Sequence, residues 1–157
     1  MGGSERTRLW LAMALAAPVI GLAACGDDDE NEGGTTAGGD PILIKTQLDP
    51  VSASGQTMGQ VRSGSTLGDS TFCRGGNFLD GPVKPPHRSV LRDFRCPGGI
   101  LTITFISTPP GVKQRSDWKV VQGFSRFEGL SGGGRMRGVL ESSRGEGRET
   151  FTGTVTR

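Results

Sequence analysis

Hydrophobic and polar residues divide this chain into three stretches. Leu9 to Ala24 is a run of 16 residues without a charge, and Arg6 and Arg8 precede it. Gly26 to Asp40 reads GDDDENEGGTTAGGD and holds almost nothing apolar. From Pro41 onward, short segments alternate apolar and polar residues with a period of two, the mark of half-buried strands. No stretch there keeps a helical period for more than two turns.

The strands can be placed from that alternation. Ile42 to Leu48 predicts the first. Ser89 to Arg95 and Ile100 to Ile106 predict a hairpin around the turn Cys96-Pro97-Gly98-Gly99, where proline pre-sets the first corner and glycine accepts positive φ. Leu101, Ile103 and Phe105 share one face of its second strand, and Thr102 and Thr104 share the other. Trp118 and Val120 alternate with Lys119. Met136, Gly138 and Leu140 alternate with Arg135, Arg137 and Glu141, and Phe151, Gly153 and Val155 alternate with Thr152, Thr154 and Thr156. Gly123 and the triplet Gly132-Gly133-Gly134 read as punctuation between strands, the triplet as a turn. Many short strands, each with one apolar face, predict an all-β domain: a small antiparallel barrel of about eight strands, or a sandwich. Closure into a barrel removes the open edge that templates aggregation. Residues 41–157 number 117, the size of one domain.

The N-terminal stretch has a basic n-region, an apolar h-region and a small-residue site, the anatomy of a secretory signal peptide. Its end, Leu22-Ala23-Ala24-Cys25, resembles the lipobox of bacterial lipoproteins. That resemblance implies cleavage before Cys25, diacylation of its sulfur, and a mature protein held by lipid on the extracytoplasmic face of the cell membrane. Sixteen residues fall short of the roughly 20 a spanning helix needs. An ordinary signal peptide cut elsewhere is the competing expectation. The expected organisation is a signal peptide over 1–24, the lipidated Cys25 with an acidic Gly-rich linker over 25–40, and a barrel domain over 41–157. The linker is too polar to bury a core and reads as an extended spacer. Its acidic run lacks the ligand alternation and fixed glycine of a calcium loop.

Charge splits at the same boundary. Gly26 to Asp40 carries six acidic residues and no basic one, whereas residues 41–157 carry 16 Lys plus Arg against 9 Asp plus Glu. The whole-chain value of +2 conceals this division. A basic domain outside a membrane suits anionic headgroups or an anionic envelope polymer as partner, although basic composition also serves solubility alone. No nucleic-acid-binding signature is present. Once Cys25 is assigned to lipid, Cys73 and Cys96 remain, and in an oxidising compartment they are expected to pair. Such a loop stabilises by about 3–4 kcal/mol in the chain-entropy picture. A reactive thiol at Cys73, beside Arg74, is the alternative.

The segment Trp118-Lys119-Val120-Val121-Gln122-Gly123-Phe124-Ser125-Arg126-Phe127-Glu128-Gly129-Leu130-Ser131-Gly132-Gly133-Gly134 looks like a recurring pattern of small secreted bacterial β proteins. There a Trp strand leads into a glycine-rich turn, and a terminal strand like Phe151-Thr152-Gly153-Thr154-Val155 closes the domain. Gly68-Asp69-Ser70 resembles the start of an early strand in dirigent-like barrels. Together these segments resemble the allene oxide cyclase and dirigent barrel superfamily, over roughly Gly68 to Arg157. The resemblance implies an eight-stranded antiparallel barrel with a largely apolar central cavity. Phe124 and Ser125 depart from the Thr-Gly usual in the pattern, and no catalytic position of those enzymes can be matched. No activity is carried over.

Direct candidates for chemistry are few. His87 is the only histidine, which excludes a multi-histidine metal site, and the thiols are too few for a cysteine-rich one. No cofactor motif is present. Ser89, His87 and Asp93 crowd one strand region, unlike a triad assembled from separate elements, and His87, beside Pro85 and Pro86, reads as an exposed loop residue. Asp69, Asp80, Asp93, Asp117 and Glu128 are candidates for paired carboxylates. Gly132 to Gly134 lacks the spacing of a phosphate loop. Arg135, Arg137, Arg144 and Arg148 read as a solvated barrel face, with an anion site as the alternative; Glu141, Glu146 and Glu149 are near enough in sequence to neutralise them.

The expectation is therefore an envelope protein without catalytic residues. A hydrophobic small molecule would sit in an interior lined by Leu101, Ile103, Phe105, Trp118, Val120 and Phe127. The alternatives are a barrel enzyme acting on an apolar substrate, which needs a polar or ionisable residue inside the barrel, and a solid-core structural or interaction protein.

Overall fold

The computed structural model describes residues 38–50, 56–82, 88–107, 113–140 and 146–157, all within the compact unit Gly33–Arg157. The signal peptide, Cys25, the linker up to residue 37, His87, Glu141 and Arg144 lie outside the described residues.

The described residues form ten strands in chain order: β1 (Asp40–Leu48), β2 (Met58–Val61), β3 (Thr66–Leu67), β4 (Ser70–Thr71), β5 (Asn77–Asp80), β6 (Ser89–Cys96), β7 (Gly99–Ile106), β8 (Lys113–Ser125), β9 (Ser131–Leu140) and β10 (Gly147–Thr156). All pairings are antiparallel. The order β10-β9-β8-β7-β6-β5-β2-β1 is closed by β1 on β10, giving an eight-stranded barrel. The short β3–β4 hairpin continues along β1 where β2 ends. The all-β barrel read from the alternation is thus the fold of the chain.

The alternating residues line the interior as their parity requires. On β1, Ile42, Ile44, Thr46 and Leu48 are buried; on β6, Val90, Arg92 and Phe94; on β7, Leu101, Ile103 and Phe105. Six of the seven phenylalanines are buried, and only Phe124 is exposed. Their rings meet edge to face or tilted: Phe72 touches Phe94 and Phe127, Phe94 touches Phe151, and Phe151 touches Phe105 and Trp118, with centroids 5.5–6.4 Å apart. Such contacts add about 0.5–1.5 kcal/mol each beyond burial. Phe94 and Phe151 belong to β6 and β10, four strands apart in either direction round the barrel, so opposite walls touch through them.

Two glycine readings require correction. Gly132 to Gly134 lie inside β9, and Gly123 lies inside β8. The turn between these strands is residues 126–129, flanked by Ser125 at φ 55° and completed by Gly129 at φ 76°. Phe127 swings from that turn into the end of the barrel and is fully buried. A side chain at Gly123 would strike the Phe127 backbone, and one at Gly134 would strike the Thr152 carbonyl of β10. These glycines serve sharply coiled strands rather than reversals. Along β8 the register with β7 also slips between Thr102 and Ile103, leaving Val121 as an exposed extra residue and Val120 half-buried.

Cys73, after β4, is bonded to Cys96, the last residue of β6. Gly76 makes room for this disulfide, because a Cβ there would meet the Cys73 sulfur.

Candidate functional site

The residue that sequence reasoning missed is Arg92. It is 1% exposed and lies midway along β6, between the core residues Val90 and Phe94 at the same inward parity. Its guanidinium grips Asp80, the residue directly opposite on β5, with two parallel bonds: Nε donates to Oδ1 at 2.5 Å and Nη2 to Oδ2 at 2.8 Å. Nη1 donates to Oε2 of Glu149, which is on β10 across the lumen. Thr46 Oγ1 also donates to that oxygen, at 3.3 Å, from the facing position on β1. The rings of Phe78, Phe105 and Phe151 surround the guanidinium at 4.0, 4.9 and 5.6 Å, close enough for cation–π attraction.

Burial alone would pull the Arg92 pKa down. The charges of Glu149 and Asp80, with the hydrogen bonds they accept, overcome that and hold it above the ordinary arginine value. Arg92 is therefore a fixed cation facing two carboxyl groups in an aromatic cage. Local packing makes the geometry. Gly59 leaves the space that the Phe78 ring occupies, 2.7 Å from where a Cβ would stand. Gly138 does the same for Glu149, whose Cγ is 2.8 Å from its would-be Cβ. Gln114, buried opposite Gly138, completes this polar layer. The layer sits toward the barrel end where β1–β2, β5–β6, β7–β8 and β9–β10 are joined.

The other candidates are scattered. Of the five carboxylates considered as pairs, Asp80 alone points inward, and it shares Arg92 with Glu149. Asp93 lies on the outer side of β6 and accepts from Thr102 Oγ1 at 2.7 Å; Asp69, Asp117 and Glu128 are exposed. Ser89 is exposed, with its hydroxyl 3.0 Å from that of Thr104. Ser89 and Asp93 are four positions apart on one strand, roughly 13 Å. Of the expected interior residues, Leu101, Ile103, Phe105, Trp118 and Phe127 are buried. Trp118 Nε1 donates to the Thr152 carbonyl at 3.1 Å. No group of metal-ligating side chains occurs among the described residues.

Outside, Arg135, Arg137 and Arg148 project to solvent as their parity predicts. Glu149 does not neutralise them: its odd position on β10 turns it inward to Arg92. Instead the register brings Arg137 opposite Arg115, and sets Lys113 and Arg148 on either side of Val139. Arg115 and Lys113 carried no signal in the sequence, because their neighbourhood is fixed only by strand pairing. A shallow depression of about 350 Å³ lies over these residues.

No family model, curated protein or solved structure matches the chain.

Proposed function

We propose that this protein is a lipid-anchored envelope protein without catalytic function, in which the barrel is a solid scaffold and binding takes place on its outer surface. The observation that carries this reading is the contact between Arg92 and Glu149 across the barrel. A lumen bridged by an ion pair at one level and by Phe94 on Phe151 at another has its centre filled by its own side chains. The lipobox-like Leu22-Ala23-Ala24-Cys25 supports the anchor, and the acidic linker supports a domain held away from the bilayer.

Organic extraction of the protein purified from its own source, followed by mass spectrometry, tests the scaffold. The expected result is no apolar compound released in stoichiometric amount. A reproducible one would instead support a carrier holding a hydrophobic small molecule. Labelling with radioactive palmitate tests the anchor: the wild type takes up label and Cys25→Ser does not.

A barrel enzyme acting on an apolar substrate is the second reading. The buried Asp80, Arg92 and Glu149 favour it, since they supply ionisable groups inside the barrel. Against it stands the saturation of Arg92 by its own carboxylates.

A further inference from the structure

We propose that the outer face of β8, β9 and β10 is a binding site for a linear polyanion, a chain carrying repeated phosphodiester or carboxylate groups. The proposal rests on the extracytoplasmic reading above, which decides where such a chain is met.

Strand pairing arranges this face in rows. One row runs Lys113, Val139, Arg148, and the next runs Arg115, Arg137, Thr150. Strands about 4.8 Å apart place these four cations within a patch on the order of 10 Å wide. Neither row contains an acidic residue. Asp117 begins the third row, opposite Arg135, and exposed Glu146 lies at the opposite rim. The described residues form two ion pairs, both inside the barrel, so none of the four cations is neutralised by a described carboxylate.

The pairing of Arg115 with Arg137 is the telling feature. Like charges directly opposite on neighbouring strands destabilise a sheet. Nothing in the packing requires them, since both point to solvent. An anion between the two side chains turns that repulsion into attraction, and guanidinium forks match phosphate and carboxylate oxygens in pairs. Arg148 is already oriented, its Nε donating to Gln47 Oε1 at 3.2 Å. The depression bordered by Lys113, Arg115, Arg137 and Arg148 is shallow and spread over three strands. That shape suits successive charges along a chain rather than one enclosed small molecule.

A bilayer is the less fitting partner. Membrane docking combines basic residues with apolar side chains that insert, and Val139 is the one large exposed apolar residue in these rows. Exposed Val121 and Phe124 lie on β8, but six and nine positions beyond Arg115, and exposed Met58, Leu91 and Ile106 belong to β2, β6 and β7.

The test uses the full chain in uncharged detergent, with linear polyphosphate and polygalacturonate as probes at low and high salt. The expected result is salt-sensitive binding of at least one polymer. It should be weakened about tenfold or more by the double variant Arg115→Gln, Arg137→Gln and retained by Arg95→Gln, which removes an exposed cation from β6. The double variant should melt no lower than the wild type, because it relieves a repulsion. Absence of binding to both polymers, equal loss in Arg95→Gln, or binding only to phosphatidylglycerol vesicles would overturn the proposal. Palmitate labelling separates the two readings. A labelled protein that ignores both polymers sinks the site alone, and an unlabelled one that binds through Arg115 and Arg137 supports the site and sinks the anchor.

Discussion

Arg92 and Glu149 stand on strands at opposite sides of the barrel, and their side chains meet inside it. The same guanidinium holds Asp80 on the adjoining strand, so one residue joins β5, β6 and β10. Taking three ionisable groups out of water is costly, and the arrangement holds only because each finds a partner.

Removing the cation alone should therefore be severe. Arg92→Met leaves two buried carboxyl groups without it, and urea denaturation should show a loss of about 3–5 kcal/mol. Replacing all three residues together, Arg92→Met with Asp80→Leu and Glu149→Leu, should recover much of that loss. A triple variant as unstable as the single one would mean that the contacts of Arg92 with the surrounding rings, not its charge pairing, hold the layer together.

The contribution of Arg92 should not vary with pH in the ordinary range. Its folded-state pKa is raised, so the stability it contributes is complete below arginine's unfolded value and fades only as pH climbs through the folded one. Between about pH 8 and about pH 11, both well above unfolded carboxylate values, the stability gap between wild type and the triple variant, which has none of the three ionisable groups, should stay constant. Matched denaturation curves at the two ends of that window check this.

Gly138→Ala should act through Glu149. The new methyl group would stand 2.8 Å from Glu149 Cγ and push the carboxylate off Arg92. A destabilisation of about 1–3 kcal/mol is expected, typical of overpacking. In a Glu149→Ala background the same change should cost less, and a double-mutant cycle measures the difference. Strict additivity would show that the strain at Gly138 comes from the nearby Arg148 backbone instead.

The disulfide should contribute what the length of its loop implies. Cys73 and Cys96 are 23 residues apart, and pairing Cys73→Ser with Cys96→Ser should cost about 3–4 kcal/mol. The same shift in denaturation midpoint should follow on adding reductant to the wild type. Gly76→Ala, which crowds the Cys73 sulfur, should make the bond easier to reduce.

Much of this was legible in the period-two pattern. Alternation places Leu101, Ile103 and Phe105 on one face, and that face is the buried one. The same parity carried the signal for the ion cluster. Arg92 stands two positions from Val90 and Phe94, Asp80 two from Phe78, and Glu149 two from Phe151. One positive and two negative residues at inward positions satisfy one another, but only closure of the sheet brings β10 to β6. The strands Met58–Val61 and Asn77–Asp80 escaped notice because each is four residues long and Gly59 interrupts the pattern. The glycines of β9 misled for a related reason: without side chains they show no alternation, and their role lies in the carbonyl of the next strand.

The seam between β1 and β10 sets the order of events when this chain folds. Asp40 pairs with Val155, and Leu48 with Gly147, contacts about as distant in sequence as the domain allows. Such high contact order slows folding, since a large loop must close before the pairing rewards it. The first strand made must wait for the last. A ribosome or a channel that still holds β10 withholds the strand that completes the ring, so the barrel closes only after β10 has been delivered.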